Sequence, residues 1–137
     1  IAKQARNLGI KAQIVGADGW DGATSVAGND ASAIEGVIFI NQYSPDMESV
    51  QDIMKKYKEK FGTDINSFGI NAYDSTMLLL QTIEKAGSLK ASDIVKGIAS
   101  TDYKGILGSI SFDSNGDPIK EPVFVQIKNG QYTTYKK

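Results

Sequence analysis

The sequence has 137 residues, of which 41% are hydrophobic and 23% charged, the size and make-up of about one soluble globular domain. Its 15 basic and 16 acidic residues leave a net charge of -1, which gives no reason to expect nucleic acid or a polybasic membrane patch. There is no cysteine and no histidine, so disulfides, a Ser-His-Asp triad and a His or Cys zinc site cannot be built from this chain, and enzymatic readings lose ground.

Residues 1–9 read as the last turns of an amphipathic helix, with Ile1, Ala5 and Leu8 on one face and Gly9 as its left-handed stop. No initiator methionine or leader stands before it, so the stretch reads as part of a longer protein. Residues 11–15 form a short strand expected to be buried on both faces. The strand runs into a loop with glycines at 16, 19 and 22, which carries Asp18 and the only tryptophan, Trp20. Residues 23–27 suggest a short helix stopped at Gly28. Residues 36–40, Gly-Val-Ile-Phe-Ile, are a continuous apolar run suited to a central parallel strand. Two βα repeats indicate a doubly wound α/β layer.

Ser44-Pro45-Asp46 has the form of a helix start, with serine as cap and proline in the first turn. The following helix puts Met47, Val50, Met54, Tyr57 and Phe61 on one stripe and stops at Gly62. Residues 68–86 make the most apolar helix, expected to be buried against a sheet, and residues 91–100 make another. Three helices in a row break the βα alternation, so the strands they cover must lie elsewhere. The tail, 106–135, reads as an antiparallel hairpin meander with turns at Asn115-Gly116 and Asn129-Gly130, one strand of which can join the main sheet.

Several motifs invite sharper readings. The glycines at 16, 19 and 22 do not have the G-x-G-x-x-G spacing, no P-loop lysine follows, and Asp18 would repel phosphate. Asp113-Ser-Asn-Gly-Asp117 has its glycine fourth rather than sixth and Phe124 at the twelfth position, so a hairpin fits better than a calcium loop. Asp18 and Glu35 as a glycosidase pair would need a separation that nothing in the sequence sets. Asp18 by itself, at a strand end in a glycine loop, suits an ammonium group as well as it suits local capping of the next helix. Phe68 and Tyr73 have core packing as their plain role.

Eight segments in order resemble one family: residues 3–10, 16–20 (Gly-Ala-Asp-Gly-Trp), 35–39, 57–62, 72–75 (Ala-Tyr-Asp-Ser), 83–88, 103–108 and 110–117. Together they are similar to the C-terminal portion of the type I periplasmic solute-binding proteins, in the leucine/isoleucine/valine-binding branch that serves ABC transporters. The resemblance implies a Rossmann-like α/β fold of two lobes that close on a ligand. This chain would be a C-terminal fragment ending in an antiparallel hairpin meander, without the N-terminal portion of the same protein. On that mapping residues 1–41 belong to the second lobe, 44–101 cover the first, and 105–137 return to the second as hairpins, with crossings near 41–44 and 101–105.

The resemblance further implies that Asp18 accepts the α-ammonium of an amino acid, with Gly19 beside it. Phe68 would touch the ligand side chain and Trp20 would wall the pocket. It implies no catalysis, no metal and no cofactor. The partner would be a membrane permease, and the location periplasmic, or extracellular with a lipid anchor. Three alternatives stand beside it: the same fold binding an amide, urea or an aromatic acid, for uptake or sensing; a small α/β enzyme using Asp18 with a lysine or tyrosine; and a purely structural interaction module.

Overall fold

A computed structural model describes residues 1–136. The chain forms two compact units, one of Ile1–Gln51 with the segment from Pro122 onward, the other of Asp52–Glu121.

The first unit holds helix α1 (Ala2–Asn7), strand β1 (Val15–Gly16), helix α2 (Ala23–Ala27) and strand β2 (Ile38–Asn41). The backbone N–H of Gly9 donates to Arg6 and that of Ile10 to Ala5, and Gly9 has the positive φ such a stop requires. The buried face of α1 differs from expectation. Ala2 enters the core, whereas Ile1 and Leu8 are exposed. β1 is also shorter than expected and is not buried on both faces. It lies at the sheet edge and Val15 is 67% exposed. Side chains compete for the backbone just before it, with Arg6 donating to the carbonyl of Ala12 and Gln13 to that of Ile14.

β2 is central, as its apolar run suggests. It pairs in parallel with β1, Gly16 opposite Phe39. On its other side it pairs antiparallel with a strand of the tail, described below. Phe39 and Val37 are buried, and with Ala2, Ile34, Val125 and Ile127 they make the core of this unit. Full burial of each large member contributes about 1.5–3 kcal/mol relative to exposure.

Helix α3 (Glu48–Phe61) starts later than Ser44 predicts. Asp46 is drawn away from the helix end because it accepts the backbone N–H and the hydroxyl of Thr134. Val50 is fully buried, as its place on the stripe predicts, while Phe61 at the end of the stripe is exposed. The chain passes into the second unit within α3.

The second unit contains helices α4 (Ser67–Ala86) and α5 (Ala91–Ala99), which pack on each other. Its sheet consists of β3 (Tyr103–Gly105), β4 (Gly108–Phe112) and β5 (Pro118–Ile119), all antiparallel. The β4–β5 turn is closed by Asp113, whose carboxylate accepts the backbone N–H groups of Asn115 and Asp117. That is the hairpin, not a calcium loop. The burial expected for α4 is not met. Only Ile70, Asp74 and Thr82 are buried on it, and Phe68 and Leu80 are 82% and 53% exposed.

The remaining strands, β6 (Val123–Lys128) and β7 (Gln131–Thr134), complete the first unit's sheet in the order β1-β2-β6-β7. The tail therefore divides. Residues up to 121 group with the helices, later than the return expected at 105, because their strands pair with one another and Asp74 of α4 holds the β3–β4 turn. In the β6–β7 turn Asn129 and Gly130 both have positive φ, as the dipeptide predicts.

Candidate functional site

At the carboxyl ends of parallel strands, side chains and loop backbone are free to meet a ligand. In the first unit that edge is made by the loop after β1 and the segment after β2. The loop folds into a single 3-10 turn, Asp18–Trp20, and then into α2. Asp18 and Gly19 are exposed. The carboxylate of Asp18 makes no hydrogen bond or ion pair with any described residue, and local capping is not its use here.

Trp20 is half-buried and its indole lies directly on Gly16. A Cβ at that position would overlap Nε1 and Cδ1 of the indole. The first glycine of the loop is therefore a seat for the tryptophan and not a phosphate turn. Trp20 also packs against the core of Phe39 and Val125.

The loop's second acid, Asp21, is engaged: Asn41, buried at the end of β2, donates its amide to Asp21 Oδ1 at 3.2 Å. Tyr43, two residues on, is buried. Burial pushes its phenol up to about 12, with the charge of Asp21 and the neighbouring Tyr132 acting in the same direction. It therefore stays neutral at physiological pH.

Glu35 does not join Asp18. It precedes β2 whereas Asp18 follows β1, and the two strands are parallel, so the carboxylates stand toward opposite ends of the sheet. Glu35 instead accepts the backbone N–H groups of Asn129 at 2.8 Å and Gly130 at 3.3 Å, closing the β6–β7 turn. The paired-carboxylate reading loses its basis.

The sequence reading missed Asn41, Tyr43 and Tyr132 as members of this neighbourhood. A signal was available for the first two, since polar residues directly after a continuous apolar strand mark its carboxyl end. No local signal marks Tyr132, which comes from β7.

Phe68 belongs to the second unit, at the start of α4. Asn66 caps that helix by accepting the N–H of Gly69 at 3.0 Å. Ile65 is buried and Ile70 fully so, leaving Phe68 on the outer side of the first turn. A depression between α4 and α5, lined by Lys85, Asp93, Lys96 and Asp102 among others, carries both signs of charge and none of the predicted residues. Among the described residues no group of three or more Asp or Glu is arranged to hold a metal ion. Among the described residues no helix is long and apolar enough to cross a membrane.

Comparison with known proteins agrees with this architecture. The profile of the family described as periplasmic binding protein matches residues 1–131. Over its whole length the chain is 28% identical to Leu/Ile/Val-binding protein homolog 2 of Brucella abortus, of which it spans 38%. The leucine-binding protein LivK of Thermotoga maritima superposes on 98% of the chain with a TM-score of 0.80 and 32% identity, and the chain covers 39% of it. The substrate-binding protein LivJ of Streptococcus pneumoniae, solved with isoleucine, superposes on 99% with a TM-score of 0.78 and 26% identity, the chain covering 40% of it. The chain thus spans about two fifths of the length of these relatives, and its fold is that of the type I proteins of this kind. It belongs to the periplasmic binding protein family.

Proposed function

We propose that this chain is part of the extracytoplasmic ligand-binding component of an ABC importer, and that the ligand is a small amino acid with a branched apolar side chain. The observation that carries the reading is Asp18, an exposed carboxylate without a partner among the described residues, on the turn that follows a parallel strand. The leucine and isoleucine named for two relatives support the choice of ligand.

The ligand's ammonium meets Asp18 in a charge-assisted hydrogen bond, about twice as strong as a neutral one. In open water such a pair contributes little, about 0–1 kcal/mol. The whole protein gains from it by closing its lobes on the ligand and shutting out water. A ligand without an ammonium would then leave the carboxylate buried and unpaired, at a cost of about 3–5 kcal/mol. Selectivity against acids and amides follows from that cost. Gly19 has open space around it for close approach, and Trp20, held by Gly16, offers an apolar wall. Phe68, exposed at the start of α4, is assigned the contact with the ligand side chain.

The component binds and delivers without chemistry, its partner being the membrane permease. It works outside the cytoplasm, in a periplasm or tethered by lipid at an outer surface. β1, β2, β6 and β7 belong to one lobe. The apolar face of α4 covers strands supplied by a portion of the protein outside these 137 residues.

The test is a thermal-shift panel on the full-length protein. Leucine, isoleucine or valine should raise its Tm, whereas 4-methylpentanoate, which is leucine without its amine, should not. An equal shift with the deaminated acid, or a shift confined to urea or benzoate, would overturn the reading.

A further inference from the structure

The turn that carries Asp18 is closed by its own backbone only through long bonds, the N–H groups of Trp20 and Asp21 donating to the carbonyls of Ala17 and Asp18 at 3.4 and 3.3 Å. α2 opens on Gly22, which has no side chain to cap it, so the N–H of Thr24 in its first turn needs an acceptor from elsewhere. The carbonyl of Trp20, at the end of the 3-10 turn, likewise needs a donor.

One atom serves both. The hydroxyl of Tyr132 donates to the carbonyl oxygen of Trp20 at 3.1 Å, and accepts from the N–H of Thr24 at 3.0 Å and from its hydroxyl at 3.2 Å. The phenol's donor and both its acceptor positions are filled. Its ring meets Phe39 edge-on, with centroids 5.7 Å apart and planes at 79°. Phe39 is fully buried in the sheet core. A stiff side chain, gripped by the core at its ring, therefore pins the turn with its tip.

We propose that Tyr132 is a positioning residue for ligand binding: it fixes where Asp18 stands, two residues before Trp20, without itself touching the ligand. The proposal rests on the reading of Asp18 as the ammonium acceptor. It differs from simple packing because the ring and the hydroxyl have separate tasks.

Tyr132→Phe keeps the ring and removes the hydroxyl. The comparison is Ile34→Val, which trims the same core at the far end of β2. In the full-length protein, two quantities are measured: amide exchange over residues 18–24 without ligand, and leucine affinity by calorimetry. For Tyr132→Phe, exchange should quicken and the Kd rise by at least about tenfold, since the hydroxyl's three hydrogen bonds are lost together and one alone is of about that size. Ile34→Val should lower Tm and leave both readings unchanged. Unaltered exchange in Tyr132→Phe would overturn the proposal, as would Ile34→Val weakening binding in step with its Tm. If the unsubstituted protein takes up none of leucine, isoleucine and valine, the ammonium reading fails by itself, and the exchange measurement still decides whether Tyr132 holds the turn.

Discussion

Asp18 and Asp74 stand one in each compact unit, and the fold uses them in opposite ways. Asp74 is buried and accepts the hydroxyl of Tyr103 at 2.9 Å and the backbone N–H groups of Ile106 at 3.0 Å and Leu107 at 3.3 Å. It is wedged so tightly against Gly105 that a Cβ there would overlap its carboxylate. Asp18 is exposed, and its carboxylate accepts no hydrogen bond from the described residues. A carboxylate that satisfies its own fold has no capacity left for a ligand, whereas one held out on a pinned turn keeps all of it. The two segments 72–75 and 103–108, separate pieces of the family pattern, are thus one structural unit tied through Asp74.

Substitution can sharpen or break this contrast. Asp74→Ala should have the largest effect on stability, a loss of about 3 kcal/mol in denaturant unfolding, because three donors lose a charged acceptor in a buried place. A loss below about 1 kcal/mol would mean that water takes over those bonds and Asp74 is not spent as described. Gly16→Ala should cost less, about 2 kcal/mol from overpacking, and shift the emission of Trp20 to the red as the indole leaves its seat. An unchanged spectrum would show that the indole is not seated on Gly16.

A pH effect is shared by both regions. Burial, then Asp21 and Tyr132, raises Tyr43 to about 12, and burial, then its bond to Asp74, raises Tyr103 to about 12. Each folded-state value lies above the unfolded value of 10.0, so the proton is held more tightly in the fold. Their stabilisation is therefore complete below about pH 10 and is lost as the pH rises toward 12. Unfolding midpoints should fall over that window, and Tyr43→Phe should remove part of the fall. A flat profile would contradict the burial of both phenols. At the small end, Asp18→Ala should change stability by no more than about 0.5 kcal/mol, as for a surface residue without partners.

Local chemistry was legible in the sequence wherever neighbours in the chain are neighbours in space. The stop at Gly9, helix α2 at Ala23–Ala27, the central β2 and the Asn129-Gly130 turn all follow from adjacent residues. What long-range contacts decide was not legible. Ser44-Pro45-Asp46 has a helix-start sequence, but Asp46 is claimed by Thr134, 88 positions away. Glu35 looked like a possible catalytic partner until its acceptor role on Asn129, 94 positions away, gave it a structural task. The exposed face of α4 shows the limit in another form, since a hydrophobic stripe does not say what, if anything, covers it. The candidate site divides in the same way. Asp18 stood out through its glycine loop, and Phe68 only through the family pattern. Tyr132 had no signal, because its partners Trp20 and Thr24 lie 112 and 108 positions away.

The most direct test of the central claim, that Asp18 is kept free for a ligand's ammonium, is calorimetric titration of leucine into the full-length protein and its Asp18→Ala variant, with Tm recorded for both. The expected result is a Kd at least about 100-fold weaker in the variant, the lower bound of losing a buried charged partner, at an unchanged Tm. Equal affinity in the two proteins would contradict it.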